Sequence, residues 1–271
     1  MQFPCPAGMT PAQLLEHLDP ALRRIGDALL QRQPARASGD AATLRQTLDD
    51  ASAWAYAELA PLLAAFDPAL PLAQPGIRPQ QLQAAYPAYW LFDAIDGAVQ
   101  YLHGLPLWTT TLTLLVDGQP LLAWVYQPAQ RMVYRAAAGG GATGNGAPLA
   151  VTAQADLALA MLATSFPNYP PRPQHEVDAF ISRLAAVVPQ VLAQRWMGPA
   201  SLSLCQLAAG QLHAYWEQGS NLYDWLPGVL IAREAGALVT GLDGGGLDWG
   251  SEGILAATPL LQAGLVGAVA V

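Results

Sequence analysis

Lysine is missing from this 271-residue chain, whose 12 basic residues are all arginine. That absence excludes a Walker-type phosphate loop, a pyridoxal Schiff base and a Ser-Lys nucleophile pair. Against 20 Asp and Glu the arginines leave a formal charge of −8 and a pI near 4.8. Such a chain suits neither a nucleic-acid backbone nor a lysine-rich polyanion site. Charge of either sign is scarce, at 12% of residues, about half the roughly 25% of an average domain. Cysteine is scarcer still. Cys5 and Cys205 supply neither a disulfide framework nor a Cys-rich zinc site. No apolar run is long enough to cross a bilayer; the C-terminal one, residues 260–271, falls short of the about 20 residues required. The opening MQFPCPAGMT lacks a basic segment followed by an apolar one. A soluble, cytoplasmic protein is the expectation, with neither membrane nor nucleic acid as a partner.

Apolar residues make up 53% of the chain, enough for a substantial core. Residues 11–31 carry Leu14, Leu15, Leu18, Leu22, Ile25 and Leu29 at helical spacing behind Thr10 and Pro11, which predicts a capped amphipathic helix. A second helix is expected over residues 42–66, kinked or restarted at Pro61. Residues 67–87, with five prolines, read as loop. A short strand at residues 90–92 should end on Asp93. Residues 108–116 and 121–126 form a hairpin through Asp117-Gly118, and residues 131–135 add a strand. From about residue 150, strands at 159–164, 191–196, 213–217 and 254–258 alternate with helices at 176–188, 199–209 and 223–235, an α/β pattern. The tail after residue 260 suits a loop or short helix.

The sharpest local feature is Asp93-Ala-Ile-Asp96-Gly97. Two carboxylates three apart, leaving a strand beside a glycine, attract a hard, oxygen-loving cation such as Mg. The amides of Gly97 and Ala98 could grip an anion. The plainer reading is an Asx turn with one Asp as its cap. Asp224, in Asn221-Leu-Tyr-Asp224-Trp, reads by itself as a residue complementing a helix dipole. His103 suits a structural hydrogen bond, Cys205 the core, and Trp124, Trp216 and Trp225 core or interface. His17, His175 and His213 lack metal-like spacing.

Taken together, these segments resemble the inositol monophosphatase family. WLFDAIDGAVQYLHGLP is similar to the family's strand, D-P-[IL]-D-G-[TS] and H-G-x-P signature. LYDWLPGVLIAREAGALV is similar to its second, W-D-x-x-[AP]-[GA] followed by E-A-G-G. Residues 131–152, 163–167, 195–217 and 252–257 match further family segments in order, so the resemblance covers roughly residues 89–257. It implies a layered α-β-α-β-α sugar-phosphatase fold, α/β in the broad sense. Residues 1–150 would form an N-terminal α+β lobe with the D-x-x-D-G metal motif. Residues 151–271 would form a C-terminal α/β lobe with Asp224 and Glu217. The implied activity is Mg-dependent (Mn possible) hydrolysis of inositol monophosphate or a similar small polyol or sugar phosphate, by a homodimer. The implied metal ligands are Asp93, Asp96, Asp224 and the Ile95 carbonyl. Gly97 and Ala98 amides would bind phosphate, and Glu217 with the Gly198-Pro199-Ala200 turn the alcohol part.

Two departures fall on the water-activating side. The family's G-E-E glutamate has no counterpart, since no Glu lies between Glu58 and Asp93; Gln74 is the nearest equivalent. The Thr or Ser after D-G is Ala98. A weakened phosphatase and a catalytically degenerate binding or regulatory protein on the same scaffold both fit. In Thr47-Leu-Asp-Asp50, Asp50 is either a supplementary negative charge for the site or a solvated helix residue.

Overall fold

The computed structural model describes residues 8–37, 39–73, 86–167 and 171–270. Helix α1 (Pro11–Arg32) starts with a capping box: Thr10 accepts from the Gln13 amide and Gln13 from the Thr10 amide. Helix α2 (Ala41–Phe66) starts at an Asp40 cap and continues past Pro61 as one helix, so the restart expected there does not occur. Pro61 and Ala57, whose carbonyl it leaves without a partner, are both exposed, so water takes over that bond.

A meander follows. Strand β1 (Ala88–Asp96) leads through the short helix α3 (Ala98–Leu102) into β2 (Thr109–Val116) and β3 (Gln119–Gln127). Then come β4 (Met132–Ala137), β5 (Ala142–Gly144) and β6 (Ala147–Pro148). All six pair antiparallel in chain order, with β1 at one edge. The strand at residues 90–92 therefore does not end on Asp93 but continues through Asp96. The glycine-rich stretch 139–146 contains β5.

The second half holds β7 (Met161–Ser165), α4 (Gln174–Val187), β8 (Ala193–Trp196), α5 (Ala200–Ala208), β9 (Ala214–Gln218) and α6 (Leu222–Glu234). It closes with β10 (Leu238–Thr240), β11 (Gly253–Ala257) and α7 (Gln262–Val269). These strands form a second sheet in the order β10-β11-β9-β7-β8, with β7 parallel to both neighbours.

Alternation along the strands sets the layers. On β1, Trp90 and Phe92 face α1 and α2, while Tyr89 and Leu91 join Leu204, Leu207, Trp225 and Val229 of α5 and α6. On β9, Tyr215 faces that same helix pair, while Trp216 packs on Phe180 of α4 and near Leu265 of α7. The order is thus helix pair, six-stranded sheet, helix pair, five-stranded sheet, helix pair. This is the layered α-β-α-β-α arrangement expected.

Candidate active site

In a regular strand, residues three apart point to opposite faces. Asp93 and Asp96 would then diverge. The pairing shows how this is avoided: Asp93 lies opposite Thr111 but Asp96 opposite Thr109, so β1 carries one extra residue, a bulge. The carbonyl of Ala94 inside the bulge accepts from Thr110 Oγ1 at 2.9 Å. Gly97 then turns the chain into α3 with a left-handed φ of 99°. A Cβ there would stand 3.1 Å from the Leu107 carbonyl oxygen and the Trp108 Cβ, so both conformation and space call for glycine.

Asp93 is partly buried and its Oδ1 accepts from the Ile95 amide at 2.9 Å, so the Asx turn read from the sequence is present. The carbonyl just before it, Phe92, accepts from two phenols: Tyr56 of α2 at 2.5 Å and Tyr223 of α6 at 2.7 Å. Asp96 is 9% exposed and accepts from the backbone and hydroxyl of Ser201 on α5. Asp224 sits in the first turn of α6; the N-cap position belongs to Asn221. Glu217, 2% exposed at the end of β9, accepts from the Tyr215 hydroxyl and from Asn221 Nδ2 at 2.8 Å. Its strand partner is Ser165, and a Cβ at Gly198 would lie 3.5 Å from that residue's Oγ and 3.4 Å from Gln100 Nε2. Ala200 is buried and Ala98 partly buried.

The electrostatics tie these residues together. Burial raises the Asp93 pKa to about 6. Burial, then the charges of Asp93 and Glu217, raises Asp224 to about 8. Asp96 is pushed well above the carboxylate range by burial, then by Asp224 and Asp93. Burial also raises Glu217. The ion pairs among the described residues are Arg23–Asp19 and Arg172–Glu176, and neither takes in Asp93, Asp96 or Asp224. Asp93, Asp96 and Asp224 thus share a low-dielectric site in which no arginine among the described residues offsets them, whereas the Arg172 charge acts on Glu217. Among the described residues, no three His, Cys, Asp or Glu side chains are gathered closely enough to hold a metal ion as they stand.

Gln74 lies outside the described residues. Asp50 does not join the site: it is exposed on α2 and accepts from Gln46 Nε2 one turn earlier, the solvated-helix alternative. His103 is exposed at the end of α3. His213 accepts the Met161 amide through Nδ1, a structural bond. Cys205, Trp124, Trp216 and Trp225 are buried. Reading the sequence passed over the hydroxyls of Tyr56, Tyr223, Ser201 and Thr109. No spacing marks them, because each reaches the site across a long stretch of chain.

Comparison with known proteins gives a consistent result. The model of the inositol monophosphatase family matches residues 62–270. An inositol-1-monophosphatase of Mesorhizobium japonicum is 34% identical over 182 residues, 66% of each chain. A protein of Vibrio cholerae named Nus factor SuhB is 36% identical over 170 residues, 63% of this chain and 62% of its own. The chain therefore spans about two thirds or less of these curated relatives. Solved structures align more fully. Mycobacterium tuberculosis SuhB superposes with a TM-score of 0.78 at 29% identity, covering 96% of both chains. An inositol monophosphatase of Zymomonas mobilis gives 0.81 at 18% identity over 97% of this chain and all of its own, a likeness of fold.

Proposed function

Because the chain belongs to the inositol monophosphatase family, we propose that it hydrolyses a small phosphorylated polyol or sugar, inositol monophosphate being the leading candidate, with Mg or Mn bound between its two sheets. The observation that carries this reading is the set of carboxylates Asp93, Asp96 and Asp224, all raised in pKa by burial, the last two also by neighbouring carboxylates, and in no ion pair among the described residues. Oxygen donors with surplus negative charge fit a hard divalent cation. Asp93, Asp96, Asp224 and the Ile95 carbonyl would hold it. Bound there, the metal supplies positive charge to the phosphoryl group and acidity to water.

The chain's own residues do the rest. The Gly97 and Ala98 amides, at the left-handed turn into α3, bind phosphate oxygens. Glu217, fixed by Tyr215 and Asn221, orients the alcohol part together with Gly198 and Ala200. Gln74 and Ala98 bring no charge and no hydroxyl to the water side, which supports slow turnover. In this reading residues 1–150 and 151–271 are the two lobes, and the protein works as a cytoplasmic homodimer. No helix of the described residues is long and apolar enough to cross a membrane.

A second reading, a ligand-binding or regulatory protein, draws support from Gln74 and Ala98 and from the relative named as a Nus factor. A phosphate-release screen over inositol, sugar and nucleotide phosphates, with and without Mg, separates the two. Mg-dependent release from a polyol phosphate is the expected result. Metal binding without release selects the binder.

A further inference from the structure

Asp96 is held differently from the other carboxylates of the cluster. Both hydrogen bonds it receives among the described residues end on Oδ2, and both come from Ser201: its amide at 3.3 Å and its hydroxyl. As a metal ligand Asp96 is ionised and has no proton to give, so in that state Ser201 Oγ is the donor. Having spent its one proton there, Ser201 can only accept from Thr109 Oγ1, 2.7 Å away. The direction Thr109 to Ser201 to Asp96 is thus fixed by chemistry. Ser201 and Thr109 are fully buried, so water does not compete. The three residues come from α5, β2 and β1, so the chain of hydroxyls also ties the central helix pair to the bulge.

We propose that Ser201 positions Asp96 and sets the cation preference of the site: by occupying Oδ2 it leaves one carboxylate oxygen, Oδ1, for a metal. The inference rests on the reading of Asp96 as a ligand. Calcium accepts six to eight oxygens at about 2.3–2.6 Å and takes carboxylates singly or through both oxygens. Magnesium demands a near-ideal octahedron at about 2.0–2.1 Å, in which the narrow bite of a two-oxygen carboxylate fits badly. A carboxylate restricted to one oxygen therefore favours magnesium. Removing the hydroxyl leaves only the longer amide bond on Oδ2, which opens that oxygen to two-oxygen binding and moves the preference toward calcium.

Titration calorimetry of the full chain with Mg alone and Ca alone tests this on the wild type, Ser201→Ala, Thr109→Val and Asp96→Asn. Ser201→Ala is expected to weaken Mg about tenfold, the scale of losing a group that orients a ligand, while Ca weakens less or tightens. The Mg-to-Ca affinity ratio therefore falls. Thr109→Val, nearly isosteric and one bond further out, should lower the ratio in the same direction by about twofold. A hydroxyl that only fills space would leave the ratio where it is. If the wild type gives no Mg heat, or Asp96→Asn matches it, the reading of Asp96 as a ligand has failed and the proposal falls with it. If Asp96→Asn loses the heat while Ser201→Ala keeps the wild-type ratio, the proposal alone is overturned. Should Ser201→Ala not fold, an unchanged ratio in Thr109→Val overturns it equally.

Discussion

Asp93 and Asp224 are close enough for the charge of the first to act on the second, yet their surroundings differ. Asp93 stands on the edge strand of the meander, its Oδ1 held by the Ile95 amide and the carbonyl behind it held by two phenols. Asp224 stands on a helix end, and among the described residues its carboxylate receives no hydrogen bond. The one is pushed up to about 6 and the other to about 8. Burial raises both; the Ile95 amide then lowers Asp93, while the charges of Asp93 and Glu217 raise Asp224 further. The meander side thus carries its own hydrogen-bond donors, whereas Asp224 has none among the described residues.

The largest expected effect comes from removing each carboxylate in turn. Asp93→Asn and Asp224→Asn should each lower Mg-dependent phosphate release by more than about 100-fold, beyond the range for groups that merely orient a ligand. Steady-state kinetics would check this, and a nearly normal rate for Asp224→Asn would dissolve the contrast. A pH effect on the metal-free protein follows. Both groups have folded pKa values above the model value of 3.8, so the folded state holds the proton more tightly than the unfolded one. Their stabilisation is complete below about pH 4 and is lost as pH rises through 6 and then 8. The melting temperature measured in chelator should fall over that window, and saturating Mg should flatten the fall by binding the ionised form. A metal-free curve that rises instead would contradict the assignment. Smallest is the loss of the phenols. Tyr56→Phe or Tyr223→Phe removes one of two donors to Phe92, so each should cost about 1 kcal/mol in denaturant unfolding. The double variant should exceed the sum, since the carbonyl is then left without either donor.

Local pattern made much of this protein legible. The α1 cap, the Asp117-Gly118 hairpin and the alternation after residue 150 all rest on residues near each other in sequence. The two aspartate segments were visible for the same reason. The bulge that turns Asp96 beside Asp93 was not, because it depends on pairing with Thr109 and Thr111. The α3 helix is only five residues long, and β10 three, too short for periodicity to register. Ser201 meets Asp96 across 105 positions and Tyr223 meets Phe92 across 131. Contacts of that span are set by how sheets and helices stack, and here the stacking order was readable only through resemblance to a family.

The central helix pair has a consequence for how the chain is made. The meander is complete in sequence by Pro148, but the apolar inner face that Tyr89, Leu91, Leu115, Val125 and Tyr134 present is covered by α5 and α6, the latter ending at Glu234. At roughly 5–20 residues per second, a ribosome takes several seconds to supply that cover. During the interval a finished sheet stands with one oily side open, a surface for chaperones to guard and for premature aggregation to exploit.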